Sequence, residues 1–216
     1  MMEFVHVAVA VLGLLSLGHS APVTSCENLI QPREIHGNQL VGKWTQIAVS
    51  LAIPGFNMLT KTVEKVVETA WMNITAANEA NTFDILYVQK TRDMCFTLKA
   101  NMTLVNNSMV HNYQYPTVLL NTGCPDCLVM YSNNTIGRTT FKALHLLSRR
   151  VKVSAAELEE FTKQTECLNL ESPAILDSEK GFCPDPALAP GTKTTDLSLS
   201  NIMPDDLNLS EKLFTE

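Results

Sequence analysis

Charge is sparse in this sequence, and no part of it is strongly basic. Of the 216 residues, 18% are charged, the formal net charge is −6, and no run of Lys or Arg is longer than the pair Arg149-Arg150. A nucleic-acid-binding protein needs a basic face that neutralises phosphates, so this class of function is excluded. Hydrophobic residues make up 45%, a proportion typical of a chain that folds around one core.

The motifs of common enzymes and metal sites are also missing. We find no Gly-x-Ser-x-Gly, no P-loop, no His-Glu-x-x-His and no dinucleotide fingerprint. Beyond residue 20, no stretch is apolar enough to span a membrane. The sequence therefore predicts neither an enzyme nor a cofactor or metal site.

The first 20 residues are typical of a secretory signal peptide. An apolar stretch covers 4–17, and Gly18 and Ser20 place small residues at positions −3 and −1 of a cut before Ala21. The stretch departs from the usual pattern because a glutamate, and no Lys or Arg, precedes it. The alternative is a retained membrane anchor, but about 14 apolar residues are short of the ~20 that span a bilayer. We expect cleavage and secretion to the extracellular space.

Cysteines and glycosylation triplets also indicate secretion. The six cysteines are an even number, which behind a signal peptide indicates disulfides. A single Asn-x-Ser/Thr triplet is weak evidence, but several in a chain with a signal peptide indicate a secreted glycoprotein. The triplets stand at Asn73, Asn101, Asn106, Asn133 and Asn208.

Short strands with hairpin spacing follow the polar N-terminal segment. Turn signals such as Pro54-Gly55, Asn106-Asn107 and Tyr115-Pro116 separate the strand-like runs. Strands of this number and spacing predict an all-β, antiparallel barrel or sandwich. The predicted strands are 42–50, 66–76, 82–90, 93–105, 108–114, 117–121, 127–133 and 139–147.

A helix is predicted after the eighth strand. Ser154 and Glu157 form a capping box, and Leu158 and Phe161 begin an apolar face of a helix that ends near Cys167. Residues 174–176 are a candidate short last strand.

The composition changes again after residue 183. Proline, aspartate and serine become frequent and aromatic residues become rare, which is typical of a flexible acidic tail. We therefore divide the chain into a signal peptide (1–20), a folded domain with its C-terminal helix (21–183) and the tail (184–216).

Three segments carry a resemblance to the lipocalins. Gly42-Lys43-Trp44 opens the first strand, Arg92-Asp93-Met94-Cys95 resembles a cysteine-bearing strand, and 159–168 resembles the late helix of that family. Within the lipocalins the chain is most similar to the branch of α1-acid glycoprotein (orosomucoid) and apolipoprotein M, and it also resembles toxin-binding plasma lipocalins. The resemblance implies an eight-stranded antiparallel up-and-down β-barrel with one C-terminal α-helix.

The resemblance also implies two disulfides, Cys26–Cys167 and Cys95–Cys183. Cys124 and Cys127 then pair with each other or with a second chain. A redox motif at this pair would need a helix after it, but a strand is predicted there, and a zinc site would need two more ligands. We favour a disulfide within a hairpin loop.

Trp44 forms the floor of the barrel according to the same resemblance. Its role there is packing under an arginine rather than ligand chemistry. Arg149 and Arg150 are both candidates for that arginine.

The glycosylation triplets predict which way strand residues face, because a glycan cannot lie in the barrel interior. Side chains alternate along a strand. An outward Asn101 therefore sends the apolar residues Phe96, Leu98, Ala100, Met102 and Leu104 inward, while Cys95 faces outward.

The same alternation applies to three other strands. An outward Lys142 sends Phe141, Ala143, His145 and Leu147 inward, and it leaves Leu144 and Leu146 outside under the helix. An outward Asn133 sends Leu128 and Met130 inward. An outward Asn73 sends Ala70, Met72 and Ile74 inward, but it places Trp71 outside, which is unfavourable for a tryptophan exposed to water.

An inner wall of this kind predicts a pocket for a small hydrophobic ligand, although ordinary core packing is the alternative for each single residue. For His111 and His145 the alternative is a buried histidine without a ligand. We expect the mouth to be formed by 51–60, 78–81 and the loops near Asn106 and Tyr115. The candidate wall residues are Phe96, Leu98, Met102, Met130, Phe141 and His145.

These expectations describe a monomeric, secreted plasma carrier of a lipid, steroid, drug or toxin. A first alternative is an apolipoprotein-like or immunomodulatory protein with a filled barrel, which acts through surface contact with a lipoprotein or receptor. A second alternative is an enzyme that uses Cys124 and Cys127.

Overall fold

The structure is a computed structural model that describes residues 25–54, 59–92, 94–111, 115–136, 139–186 and 194–198. The predicted signal peptide and the glycosylation triplet at Asn208 lie outside the described residues. Within these ranges, no helix combines the length and the apolar character needed to cross a membrane.

Eight strands form one closed antiparallel up-and-down barrel. Each strand pairs with the next along the chain, and β1 also pairs with β8, which closes the ring. The predicted barrel is therefore confirmed. The strands are β1 (Gly42–Ala52), β2 (Val67–Ala76), β3 (Thr82–Thr91), β4 (Met94–Val105), β5 (Ser108–His111), β6 (Tyr115–Leu120), β7 (Cys127–Ile136) and β8 (Thr139–Ser148).

Four helices accompany the barrel in the described part of the chain: α1 (Cys26–Leu29), α2 (Gly37–Leu40), α3 (Leu59–Val66) and α4 (Ala155–Cys167). The last is the predicted C-terminal helix. Its N-cap Ser154 accepts a hydrogen bond from the Glu157 amide, and the Glu157 carboxylate accepts one from the Ser154 amide, so the predicted capping box is confirmed.

Two apolar clusters divide the strands into an inner and an outer face. The inner cluster includes Trp44, Met72, Ile74, Met130 and Leu147. The outer cluster joins Leu144, Leu146 and Val129 to Phe161 and Leu158 of α4. The helix therefore covers the outer face of β8, as the alternation along that strand predicts.

A third cluster explains the outward position of Trp71. Its ring is 1% exposed and packs with Val88 and Cys183 on the outer face. The indole Nε1 donates a hydrogen bond to the carbonyl of Cys183, 3.0 Å away. The C-terminal segment thus shields this tryptophan from water, which strand alternation alone does not reveal.

Three disulfides join all six cysteines. They link Cys26 to Cys167, Cys95 to Cys183, and Cys124 to Cys127. The first two are the pairs that the resemblance implies. They attach the N-terminal segment to α4 and the C-terminal segment to β4.

Two short strands complete the sheet after α4. β9 (Ala174–Ile175) pairs with β1, and β10 (Thr194–Ser198) pairs in parallel with residues 95–99 of β4. The sequence placed 194–198 in a flexible tail, whereas this segment is a strand. It extends β4 where the short β5, which pairs only with 103–105, leaves the edge of β4 open.

Candidate ligand-binding site

One end of the barrel is closed by an arginine stacked on a tryptophan. The Arg149 guanidinium lies 3.5 Å from the centre of the Trp44 ring, and Trp44 Nε1 donates a hydrogen bond to the Leu40 carbonyl at 2.7 Å. Partial burial lowers the pKa of Arg149 from its ordinary value. Of the two candidate arginines, Arg149 is therefore the one that packs on the floor.

Gly42 makes this close approach possible. Its φ of +110° disfavours any residue with a side chain, and a Cβ built there would lie 2.8 Å from Nη1 of Arg149. Arg149 also donates hydrogen bonds to the carbonyls of Lys43, Gln39 and Val41. The arginine thus fixes the start of β1 and of the chain before it.

Arg150 has a different role, outside the barrel. It pairs with Asp126 at 2.7 Å and with Glu157 at 2.8 Å. The hydrogen bond from Arg150, followed by those from Ser154, lowers the pKa of Glu157 to about 2. The arginine therefore ties the loop that carries the Cys124–Cys127 disulfide to the N-terminus of α4.

The strand register places the predicted wall residues on the inner face. Phe96 is opposite Gln89, Leu98 is opposite Tyr87, and Met130 is opposite His145. Met102 packs against the inner cluster, and Phe141 lies on the same side of β8 as His145. His111 lies at the end of β5, where its Nδ1 is 2.8 Å from the Asn101 carbonyl oxygen.

Accessibility divides this inner face into two halves. Towards the Trp44 end the side chains are buried, with Ile74 and Leu147 both 0% exposed. Along β3, β4 and β8 towards the other end, several inward residues retain accessible surface. These half-buried residues are Tyr87, Gln89, Phe96, Leu98, Phe141 and His145. Ala100 and Met102 are also half-buried, but the register places them opposite the buried Ile85 and Phe83, at the Trp44 end.

The mouth is therefore at the end opposite Trp44. Strand direction alternates in an up-and-down barrel, so the connections β1–β2, β3–β4, β5–β6 and β7–β8 share that end. The expectation that 78–81 and the turn at Asn106 border the mouth is wrong, because these two turns connect β2–β3 and β4–β5 at the Trp44 end. The described parts of the segment 51–60, which are 51–54 and 59–60, and Tyr115 are at the mouth end.

A line of polar side chains crosses the inner face, and the sequence reasoning missed it. The Tyr87 hydroxyl lies 3.1 Å from Oε1 of Gln46 and 3.3 Å from Oε1 of Gln89. The amide of Gln89 donates to the Thr91 hydroxyl at 2.8 Å. On β3, alternate positions are occupied by Phe83, Ile85, Tyr87, Gln89 and Thr91. Strand alternation in the sequence could therefore have predicted that Gln89 and Thr91 face inward.

Tyr87 reaches from β3 to β1 across a small residue. Ala70 of β2 is opposite both Gln46 and Gln89, and Tyr87 packs against it. A larger side chain at that position would separate the hydroxyl from Gln46. Burial raises the pKa of the Tyr87 hydroxyl above its ordinary value, so Tyr87 remains protonated.

His145 is the ionisable imidazole of the inner wall. It is opposite Val49 of β1, on the mouth side of the Gln46–Leu147 pair, and a bulge between Gln46 and Ala48 separates the two pairs along β1. Burial lowers the pKa of His145 to about 4, because an apolar environment disfavours the charged form. The ring is therefore neutral at pH 7, with one nitrogen that donates and one that accepts.

The glycosylation triplets within the described ranges lie on the outside. Asn101, Asn106 and Asn133 are exposed, and Asn73 is half-buried. The Cys124 and Cys127 thiols form a disulfide, so they are not available as thiolate ligands beside Asp126.

Comparison with known proteins identifies the fold. No protein-family model matches the sequence, and no curated protein matches it significantly. Among solved structures, 249 chains match. One of them is the siderocalin Ex-FABP, described as functioning through dual ligand specificities, with a TM-score of 0.58 and 15% sequence identity over 68% of this chain and 99% of that one. The barrel and its C-terminal helix therefore have the lipocalin fold.

Proposed function

We propose that the protein is a secreted carrier that binds a small hydrophobic ligand inside its barrel. The observation that supports this most directly is the difference between the two halves of the inner face. In a filled barrel, Phe96, Leu98 and Phe141 would be as inaccessible as Ile74 and Leu147 are. Their accessible apolar surface is what a ligand would remove from water, at about 25 cal/mol per Å².

The extracellular setting has separate support. Three disulfides are typical of oxidising compartments, and three glycosylation triplets are exposed on the barrel surface. The proposal includes a cleaved leader (1–20), a lipocalin barrel (21–183) and an acidic tail (184–216), of which 194–198 is attached to β4. A lipid, steroid, drug or toxin fits this proposal, as does kinship with the orosomucoid and apolipoprotein M branch.

A dye titration tests the pocket. A neutral dye such as N-phenyl-1-naphthylamine, which fluoresces in apolar surroundings, is titrated into the protein purified from a secreting host. Fatty acids, retinoids and sphingolipids are then added as competitors. We expect saturable binding at micromolar concentration and displacement by at least one class.

Two tryptophan variants show whether the dye occupies the interior. Leu98→Trp adds a larger side chain on the accessible inner face and should abolish dye binding. Lys99→Trp adds the same side chain at the next, outward-facing position of β4 and should leave binding unchanged. Equal binding by both variants, or no saturation in the native protein, would contradict an interior pocket and would favour the surface-interaction alternative.

A further inference from the structure

Three polar side chains on the inner face have hydrogen-bonding capacity to spare, those of Gln46, Tyr87 and His145. Tyr87 and Gln46 are bonded to each other, and His145 lies further towards the mouth, opposite Val49 of β1. Gln46 Oε1 accepts from the Tyr87 hydroxyl, but its amide nitrogen has no partner within the described ranges. The same part of the chain supplies no partner for either ring nitrogen of His145. Tyr87 has one hydroxyl hydrogen for two glutamine oxygens, and its own oxygen still accepts.

These spare groups are open to water, since none of them is among the fully buried polar atoms without a hydrogen-bond partner in the described ranges. His145 retains accessible surface, so a molecule in the barrel can reach its ring. A ligand that covers such a group without bonding to it leaves a buried donor or acceptor unpaired, at a cost of about 1–3 kcal/mol. A ligand that brings one donor and one acceptor to this place avoids the cost.

Among the described strand residues, the inward-facing positions around these groups include no Asp, Glu, Lys or Arg. The nearby cations point outwards instead, for example Lys90, which pairs with Glu68 at 3.1 Å, and Lys142, which is opposite the exposed Asn133. A carboxylate or an ammonium head placed here would be an unpaired buried ion, which is strongly unfavourable.

We propose that Gln46, Tyr87 and His145 form a subsite that hydrogen-bonds an uncharged polar group, a hydroxyl or a carbonyl, on an otherwise apolar ligand. The apolar remainder lies against β4, which is four strands away from β8 around the ring and therefore opposite His145. There Phe96 and Leu98 present accessible apolar surface. This inference rests on the proposed function and narrows its ligand class to neutral molecules with one polar head.

A matched series of three biphenyl compounds tests the preference. Biphenyl, 4-biphenylmethanol and biphenyl-4-carboxylate share one apolar body and differ in the head group. Each competes with N-phenyl-1-naphthylamine at pH 7.4. We expect the alcohol to bind about three- to tenfold more tightly than biphenyl, the gain of one net hydrogen bond, and the carboxylate to bind more weakly than the alcohol.

Variants of His145 assign the preference to the subsite. His145→Leu should remove the advantage of the alcohol and leave the affinity for biphenyl at least as high. His145→Gln keeps a donor and an acceptor and should restore part of the advantage. Tyr87→Phe should reduce the advantage. His111→Leu is the matched control, because the His111 ring is already bonded to the Asn101 carbonyl, and its selectivity should equal that of the native protein.

The outcomes separate this inference from the carrier proposal. Absence of dye binding in the native protein overturns both. Dye binding with equal affinities for biphenyl and its alcohol, with tighter binding of the carboxylate, or with no displacement by the alcohol overturns the subsite and leaves the carrier. An unchanged preference in His145→Leu, which binds biphenyl normally and is therefore folded, also overturns the subsite.

Discussion

The two ends of the barrel interior differ in burial and in hydrogen bonding, although the same strands form both. At the floor, Trp44 is 3% exposed, its indole nitrogen is hydrogen-bonded, and Arg149 stacks on its ring. Towards the mouth, Phe96 and His145 retain accessible surface, and the imidazole has no partner within the described part of the chain. The floor satisfies its polar groups within the chain, whereas the mouth half keeps an accessible imidazole beside the bonded line of Tyr87, Gln46 and Gln89.

The contrast indicates that inward residues at the floor contribute mainly to stability, whereas those towards the mouth contribute mainly to the proposed binding of a ligand. The floor joins β1 to the chain before it and to the end of β8, so a change there affects the closure of the barrel. The side chains of the mouth half are only partly buried, so they contribute less packing energy to the fold. Substitutions at the two ends should therefore affect different measurements.

The largest expected effect comes from the removal of the floor tryptophan. Trp44→Ala should lower the free energy of unfolding by about 3–5 kcal/mol, because it leaves a cavity under Arg149. Phe96→Ala, the matched change at the mouth end, should cost about 1–2 kcal/mol, because the ring is only partly buried. Urea denaturation followed by circular dichroism measures both. Equal losses would mean that the mouth half is as densely packed as the floor.

The positions of the strands, and the side of the sheet that each residue faces, could be predicted from the sequence because both depend on local patterns. Alternation and turn residues place the ends of the predicted strands close to the observed ones, with the largest difference at the end of 127–133, while residues 112–114 of the predicted strand 108–114 lie outside the described residues. Asn101 predicted the facing of β4, and Ala100 and Met102 do pack against the inner cluster. The capping box of α4 also depends on neighbours in sequence alone.

Features that depend on distant segments could not be predicted from local sequence patterns. Trp71 is buried by a segment 112 residues later in the chain, and the strand at 194–198 exists because a short β5 leaves part of β4 unpaired. The choice between Arg149 and Arg150 required the packing of Trp44. The polar line at Tyr87 was missed because only the glycosylated strands and β8 were assigned a facing.

A second, smaller effect should appear in the pH dependence of stability. The pKa of His145 is about 4 in the folded protein and about 6.5 in an unfolded chain. Between these values the unfolded state binds more protons, so the free energy of unfolding falls as the pH falls. From pH 7 to pH 4.5 the loss due to this residue is about 2.5 kcal/mol.

The comparison of two proteins isolates this contribution. His145→Leu should show a flatter profile than the native protein over that range. Glu157 titrates near pH 2 in the folded state, so its loss of stability occurs mainly below this window and is common to both. A parallel profile for His145→Leu would show that the imidazole is solvated like an ordinary surface histidine.

The smallest of the three effects concerns a single methyl group at the floor. Gly42→Ala should lower the free energy of unfolding by about 2 kcal/mol, because alanine is strained at a φ of +110° and its Cβ would displace the Arg149 guanidinium. Gly123→Ala is the control, since a Cβ there meets only the flexible carboxylate of Glu160, at 3.0 Å, and should cost less than about 1 kcal/mol. Because Gly42 is far from the mouth, the affinity of Gly42→Ala for the neutral dye should equal that of the native protein at a temperature where both are folded. A loss of dye affinity in this variant would show that the floor shapes the pocket, and the division into a structural end and a binding end would then have to be given up.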